Sequence, residues 1–219
     1  MRKWTEHVPE TTIKVKHVHG AESNLRLTLR TLIWPKVCVI CRNRAVETSQ
    51  GACPDCLTVL KGFPRPRCVT CGASIDGALE ICSECVRKGG RNWDNGVTVY
   101  PYSGLARQMV QAFKYRGSTH LAPFMASKMA HAWQQEAAIT APDILIPVPL
   151  HWTKQFRRGF NQSALLARFI AKKLAVHTKC VLRRCQSRTQ QARLDFSKRK
   201  KNAEGLFTVK PGIDIRGCR

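Results

Sequence analysis

The sequence predicts an α/β protein whose first third is organised around metal-binding cysteines. Eight of the 11 cysteines fall between residues 38 and 85 as four Cys-x-x-Cys pairs. Beyond residue 96, short apolar runs alternate with helix-type periodicity, an order typical of a sheet with parallel connections. The 219 residues are 43% hydrophobic, an ordinary fraction for a folded chain, so a buried core is expected.

The four cysteine pairs predict two zinc ions, each held by four thiolates. Each Cys-x-x-Cys knuckle presents two sulfur ligands to one tetrahedral ion, and two knuckles complete a site. Such sites have no open position for a catalytic water, so we expect structural zinc. The sequential sets are Cys38, Cys41, Cys53 and Cys56, then Cys68, Cys71, Cys82 and Cys85.

Two alternatives accompany this zinc hypothesis. Cross-bracing would join the first pair to the third, but sequential pairing closes shorter loops, and the Phe-Pro-Arg-Pro segment 63–66 suits a joint between two units. A thioredoxin-like redox pair would need a Cys-x-x-Cys that opens a helix in a βαβ unit, and the surrounding sequence has no such pattern. The isolated Cys180, Cys185 and Cys218 are interpreted as buried or incidental thiols.

The charge of the chain indicates a polyanionic partner. The formal net charge is +23, from 37 Lys and Arg against 14 Asp and Glu, and self-repulsion of this size disfavours a compact chain. The candidate partners are nucleic acid, a phosphorylated ligand and an anionic surface, and of these we expect single-stranded DNA. The alternative is a generally basic chain without a specific partner. The stretch 172–201 holds eleven Lys or Arg and one acid, which favours a phosphate-facing lid or single-strand track over a solvated loop.

No apolar run is long enough to cross a membrane, and residues 1–16 lack the apolar core of a signal peptide. We therefore expect no membrane insertion and a cytoplasmic location, where thiols stay reduced and paired cysteines favour metal over disulfides. The predicted organisation is a disordered or unassigned leader, a zinc-binding unit and an α/β domain. Their predicted ranges are 1–31, 32–90 and 91–219.

Periodicity in the third range predicts its elements. Strands are expected at 97–100, at 143–149, from Val181 and at 206–209. One helix carries Leu105, Met109 and Phe113 and ends at Gly117, and a second carries apolar residues from Leu121 to Trp133. A third helix, with Asn161 or Ser163 as its N-cap, carries apolar residues from Leu165 to Leu174.

Several motifs occur in the order found in one family. Behind the cysteines stand Tyr102-Ser103-Gly104, Lys114-Tyr115-Arg116-Gly117, Ile146-Pro147-Val148-Pro149-Leu150, Arg157-Arg158-Gly159-Phe160-Asn161-Gln162, and then Gln191, Leu194, Arg199, Asn202, Gly205 and Phe207. From Leu32 to about Gly217 the chain thus resembles the ComF family of competence-associated, phosphoribosyltransferase-like proteins. The resemblance implies a role in DNA uptake and natural transformation, with proteins of the competence machinery as partners.

The resemblance also implies a type I phosphoribosyltransferase core with flanking helices. In that fold the loop after the first strand, here 147–161, faces the pyrophosphate of phosphoribosyl pyrophosphate, and a basic segment, here about 183–202, closes over it. Arg157 and Arg158 offer forked donors for phosphate oxygens, and Gly159 allows close backbone approach. The expected substrate-binding residues are Lys114, Pro147, Arg157, Arg158, Gly159, Asn161, Gln162, Gln191, Arg199 and Asn202.

One motif of that family has no counterpart in this sequence. Its ligand strand ends in two aspartates followed by Thr-Thr-Gly and would begin after Gly217, whereas the sequence ends at Arg219. We therefore expect an incomplete transferase-like domain, assign no catalytic residue, and expect Mg²⁺ with phosphoribosyl pyrophosphate only where that motif is present. Three hypotheses follow: a competence protein without transferase activity, a zinc-dependent single-strand-binding module, and a truncated copy of an active phosphoribosyltransferase.

Overall fold

The computed structural model describes residues 37–43, 51–62, 66–77, 79–136, 141–185 and 205–219, so the predicted leader lies outside it. Within these residues the helices are α1 (Pro54–Val59), α2 (Ser83–Arg87), α3 (Gly104–Tyr115), α4 (Ala122–Gln134), α5 (Trp152–Arg158) and α6 (Gln162–Leu174), with a 3₁₀ turn at Thr119–Leu121. The strands are β1 (Ile144–Leu145), β2 (His177–Thr178), β3 (Leu182–Arg184) and β4 (Phe207–Val209). None of the described helices is both long and apolar enough to cross a membrane.

The three predicted helices are confirmed as α3, α4 and α6, and their apolar faces locate the main core. Met109 and Phe113 are four residues apart on α3, so they share one face, and both are buried. Helix α4 buries Phe124 beside small alanines and packs against α6. The first turn of α6 is capped by Asn161, whose Oδ1 accepts from the backbone N–H groups of Ser163 (3.0 Å) and Ala164 (3.4 Å). Of the two predicted N-caps, Asn161 is therefore the correct one.

The strands form two separate pairs instead of the one parallel sheet that the sequence predicted. β1 and β2 run parallel, with Ile144 opposite His177, and the connection between them contains α5 and α6. β3 and β4 are antiparallel, with Leu182 opposite Val209. The prediction of parallel connections was thus right for the first pair and wrong for the second. The sequence predicted only a loop between β3 and β4, and an antiparallel pair needs no helical crossover.

Four further predictions need correction. The strand predicted at 143–149 is limited to Ile144–Leu145, because the prolines that follow at 147 and 149 lack N–H donors for a ladder. The strand predicted at 97–100 is absent, and the carbonyl of Thr98 accepts from the side chain of Arg67 (2.9 Å) instead of from a neighbouring strand. The loop predicted at 147–161 contains α5. Cys180, Cys185 and Cys218 are exposed, so they are not buried thiols.

Candidate zinc centres and nucleic-acid interface

The eight cysteines gather into two sequential tetrads, as the sequence favoured over cross-bracing. The first tetrad is Cys38, Cys41, Cys53 and Cys56, and the second is Cys68, Cys71, Cys82 and Cys85. Within each tetrad the Sγ atoms all lie within 4.8 Å of one another. Sulfurs at about 2.3 Å from a tetrahedral zinc are about 3.8 Å apart. The observed Cys41–Cys53 and Cys71–Cys82 Sγ separations of 3.8 and 3.6 Å match that spacing, so each tetrad fits one structural zinc ion.

Each tetrad is built by the same local structure. The first knuckle turns back on itself, with the N–H of residue 42 or 72 donating to the carbonyl of Cys38 or Cys68. The third cysteine is the N-cap of a short helix, α1 or α2, which carries the fourth cysteine in its first turn. The N–H of that third cysteine also donates to the first sulfur, over 3.2 Å in the first tetrad and 3.3 Å in the second.

These N–H donors prepare the sulfurs for metal. Burial opposes ionisation of the Cys38 thiol, but the backbone N–H groups of Cys41, Cys53 and Ile40 lower its pKa to about 6. The pKa of Cys68 is lowered to about 6 by the same balance. Burial and the adjacent sulfurs raise the pKa of Cys71 to about 12. The N–H donors thus favour the thiolate at the first cysteine of each tetrad, whereas burial and the adjacent sulfurs disfavour it at Cys71 until a metal binds.

A guanidinium lies against the second tetrad. Arg91 Nε donates to Cys85 Sγ over 3.4 Å, and the guanidinium carbon lies 5.5 Å from the centre of the Trp93 ring. Trp93 in turn donates from Nε1 to the carbonyl of Thr70 (2.9 Å). Four thiolates around one zinc carry a net negative charge, so the cation stabilises the filled site.

The Arg-Gly-Phe-Asn-Gln motif forms the turn between α5 and α6 and ties it to α3. Gln162 is only 5% exposed; its Oε1 accepts from Arg158 Nη1 (3.1 Å), and its Nε2 donates to the carbonyl of Lys114 (3.5 Å). The Arg158 guanidinium also lies 4.9 Å from the centre of the Tyr115 ring. Asn161 Nδ2 donates to the carbonyl of Val148 (3.2 Å). The motif therefore makes internal contacts that hold three elements together.

The other predicted substrate-binding residues fall in different places. Gly159 ends α5 in the left-handed region at φ 76°, and Pro147 is buried behind β1. Arg157 is exposed on α5. Gln191, Arg199 and Asn202 lie outside the described residues, as does most of the predicted lid.

Lys154, Arg157 and Arg158 lie on α5, and Arg184 of β3 is near enough to Lys154 to act on its charge; we name these four cations the α5 cationic cluster. The ammonium of Lys154 has its pKa lowered by burial first, and then by the nearby guanidinium groups of Arg184, Arg158 and Arg157. Sequence analysis placed Arg157 and Arg158 near a phosphate but missed Lys154 and the two aromatic residues of the same helix, Trp152 and Phe156. Trp152 and Phe156 are four residues apart, which is a helical spacing. The helix was not predicted because the family resemblance assigned this segment to a loop.

The paired tetrads and their short helices define a double zinc ribbon protein, and a model of the double zinc ribbon domain matches residues 29–86. The chain is 25% identical over 177 residues to Competence protein F of Haemophilus influenzae, covering 78% of this chain and 76% of that protein. It is 25% identical over 188 residues to the DNA utilization protein YhgH of Escherichia coli K12, covering 83% and 81%.

Competence protein ComFC of Bacillus subtilis is 26% identical over 135 residues, covering 60% of this chain and 50% of that protein. No solved structure matches the chain. The ribbons at its start and these relatives along most of its length support the assignment of the chain to the ComF family.

Proposed function

We propose that this chain acts in DNA uptake or utilisation by binding single-stranded DNA at the α5 cationic cluster, with two structural zinc ions supporting the fold. The cluster carries the proposal. It concentrates four cations around one short helix of a chain whose net charge is +23. Closely spaced Lys and Arg side chains release counterions from a phosphate backbone, which is the main source of affinity without sequence preference. The relatives named for competence and DNA utilisation support the same class of ligand.

The members of the cluster are suited to different tasks. Arg158 is held by Gln162 and Tyr115, so it fixes the position of the cluster as much as it contributes charge. Lys154 and Arg157 lie on the same helix, and Arg157 is exposed. The flexible Lys154 and Arg157 side chains are therefore the ones that we expect to contact phosphates.

We also propose that the chain performs no phosphoribosyl transfer. Arg158, one of the two expected pyrophosphate donors, is engaged in internal contacts. Pyrophosphate release from phosphoribosyl pyrophosphate with Mg²⁺ should stay at the uncatalysed level, and catalysed release would refute this part of the proposal.

The binding proposal is tested with a double charge reversal, Lys154→Glu with Arg157→Glu. Fluorescence anisotropy with a labelled oligonucleotide should show a loss of about tenfold or more at 0.15 M salt, since two phosphate contacts are removed. The slope of log K against log salt should become less negative by about 1.4, from the coefficient of about 0.7 per contact on a single strand.

The matched control reverses Lys61 and Arg107, two exposed cations outside the cluster, and changes the net charge by the same amount. It should lose far less affinity and keep its salt slope. Equal losses in the two variants would show that only net charge matters. A wild-type chain that binds no single strand would remove the proposed function itself.

A further inference from the structure

Helix α5 displays two large aromatic side chains to solvent. Trp152 is 74% exposed and Phe156 is 90% exposed, and none of the seven residues of the helix is buried. Residues four apart lie on the same helix face, so both rings project from one side of α5. Helices are ordinarily held by the burial of an apolar face. An exposed pair of rings on a helix that buries nothing therefore marks a contact surface.

The helix is fixed at both ends in spite of that exposure. At its start, His151 Nδ1 accepts from the backbone N–H of Thr153 (3.3 Å) and lies 2.7 Å from its Oγ1. At its end, Gly159 donates its N–H to the carbonyl of Gln155 (2.8 Å). The turn that follows is held by Asn161 and Gln162, as described above. The rings are thus presented by a locally anchored segment, which limits the conformational entropy lost when a ligand binds.

The surroundings of the rings indicate what covers them. Lys154 and Arg157 project from the same helix, and the guanidinium groups of Arg158 and Arg184 lie close to Lys154. An apolar protein surface would have to desolvate these cations, whereas a phosphate backbone complements them. A single strand carries both the phosphates for the cations and unpaired base faces for the rings.

We propose that Trp152 and Phe156 form a base-stacking platform, on which consecutive bases of a single strand lie while the α5 cationic cluster holds the flanking phosphates. This inference rests on the proposed function and deepens it, because it adds a preference for unpaired bases over backbone charge alone. Stacking on an aromatic face tolerates any base, so the platform selects single strands without selecting a sequence.

The test compares two oligonucleotides of equal length and charge, one with natural bases and one fully abasic. In the double variant Trp152→Ala with Phe156→Ala, affinity for the natural strand should fall at least about tenfold, since two stacked bases are lost. Affinity for the abasic strand should stay within about twofold, because phosphate contacts give the same counterion release with or without bases. Tyr102→Ala, at another exposed aromatic residue that is 63% exposed, should leave both affinities unchanged.

Trp152→Phe provides a second measurement, in a variant that keeps both aromatic rings on α5. It retains an aromatic face, so affinity for the natural strand should be nearly preserved, while quenching of tryptophan fluorescence by the strand should largely disappear. That loss would assign the quenching to Trp152 among the five tryptophans.

The outcomes separate this inference from the proposed function. Equal affinities of wild type and the Trp152→Ala, Phe156→Ala variant for the natural strand would overturn the platform, leave the cationic cluster in place, and assign the rings to a protein contact. Equal loss on natural and abasic strands would also overturn it, because the rings would then act only through the fold. Wild type that binds neither strand would refute the proposed function first.

Discussion

The two zinc tetrads are built from the same turn and helix but are held in the molecule in different ways. In both, the residue after the first knuckle has a positive φ, 59° at Arg42 and 71° at Gly72. The side chain of Arg42 reaches outward, and its Nη2 lies 3.5 Å from Nδ1 of His120. At Gly72 the missing side chain leaves room for another segment. A Cβ there would lie 2.6 Å from the carbonyl oxygen of Gly96.

Packing separates the tetrads further. The first tetrad contributes Cys38 and Cys56 to the same buried cluster as Met109, Phe113 and Phe124 of α3 and α4. The second forms a small cluster of its own, in which the buried residues are Cys68, Ile75 and Cys85. It is joined to the rest by polar contacts and close backbone approach, including Arg67, which donates to the carbonyl of Thr98 (2.9 Å) and pairs with Glu136 (3.4 Å).

The difference indicates that two metal sites of the same local structure can support unequal parts of the fold. Zinc in the first tetrad holds part of the main hydrophobic core in place. Zinc in the second tetrad holds a small separate cluster that packs against residues 96–98. The predicted boundary near residue 90 remains a prediction. If it marks a domain boundary, the first ribbon nevertheless packs against residues beyond it, because Cys38 and Cys56 share a buried cluster with α3 and α4.

Removal of both zinc ions should have the largest effect. Structural zinc contributes on the order of 10 kcal/mol or more to folding, and the first site lies in the main core. A chelator under reducing conditions should release about two ions per chain, measured with a colorimetric metal indicator, and should abolish most helical circular dichroism. Retention of the helical signal after full release would show that the core of α3 and α4 does not depend on the first tetrad.

Phe113→Ala should come next, because its ring is 1% exposed in the core that contains the first tetrad. Truncation of a buried Phe costs about 3–5 kcal/mol, and the loss should weaken zinc retention at the first site. Ile75→Ala, in the second cluster, is the matched control and should weaken only the second site. Thermal unfolding and stepwise chelation of each variant distinguish the two, and identical zinc-release profiles would contradict separate clusters.

Gly72→Ala should have an intermediate effect of about 1–3 kcal/mol, since it combines a strained positive φ with a clash against the backbone at 96 and 98. Gly77→Ala is a close control, because its φ of 72° is the same and nothing lies within 4 Å of the added Cβ. The excess destabilisation of the first variant measures the docking of the second ribbon. Limited proteolysis after residue 88 should increase only in Gly72→Ala. An equal increase in both variants would show that the close approach of Gly72 to residues 96 and 98 does not hold the second ribbon in place.

Glu84→Gln should have the smallest effect. Its exposed carboxylate accepts from Lys88 and Arg87, and these contacts lower its pKa to about 2. A depressed carboxyl pKa contributes stability above the usual value near 4.5 and loses it as the pH falls toward 2. Acid also protonates the thiolates, so the amide variant at neutral pH is the cleaner test. The second zinc should be released slightly faster and the first at an unchanged rate.

Much of this arrangement could be predicted from the cysteines and the helical periodicity. Cysteine spacing encodes sequential tetrads because knuckles close locally, and the faces of α3 and α4 follow from residues four apart. The docking of the tetrads could not be predicted, since it depends on long-range contacts such as Arg67 with Thr98. Helix α5 was missed because a His side chain caps its start, and because two rings four residues apart are too few to give a recognisable amphipathic pattern.

Only part of the proposed interface was singled out from the sequence. Arg157 was singled out because the family motif contains it, and its exposure in the structure suits phosphate contact. Ligand binding by Arg158 and Gln162 stays a prediction; in the structure Arg158 lies over the Tyr115 ring, and Gln162 donates to the carbonyl of Lys114 and accepts from Arg158. Sequence spacing indicates which residues are near a turn, whereas the packing of α3 decides which of them remain exposed.

The most direct test of whether the first tetrad supports more of the fold than the second compares Cys38→Ser with Cys68→Ser. The two sulfurs are equivalent: each opens its tetrad, each is at most 1% exposed, and each has a pKa lowered to about 6. Hydrogen exchange of α3 (Gly104–Tyr115), followed by mass spectrometry, reports whether the core survives. The account predicts lost protection of α3 in Cys38→Ser and native protection in Cys68→Ser, with about one zinc ion left in the latter. Equal protection of α3 in both variants would contradict it.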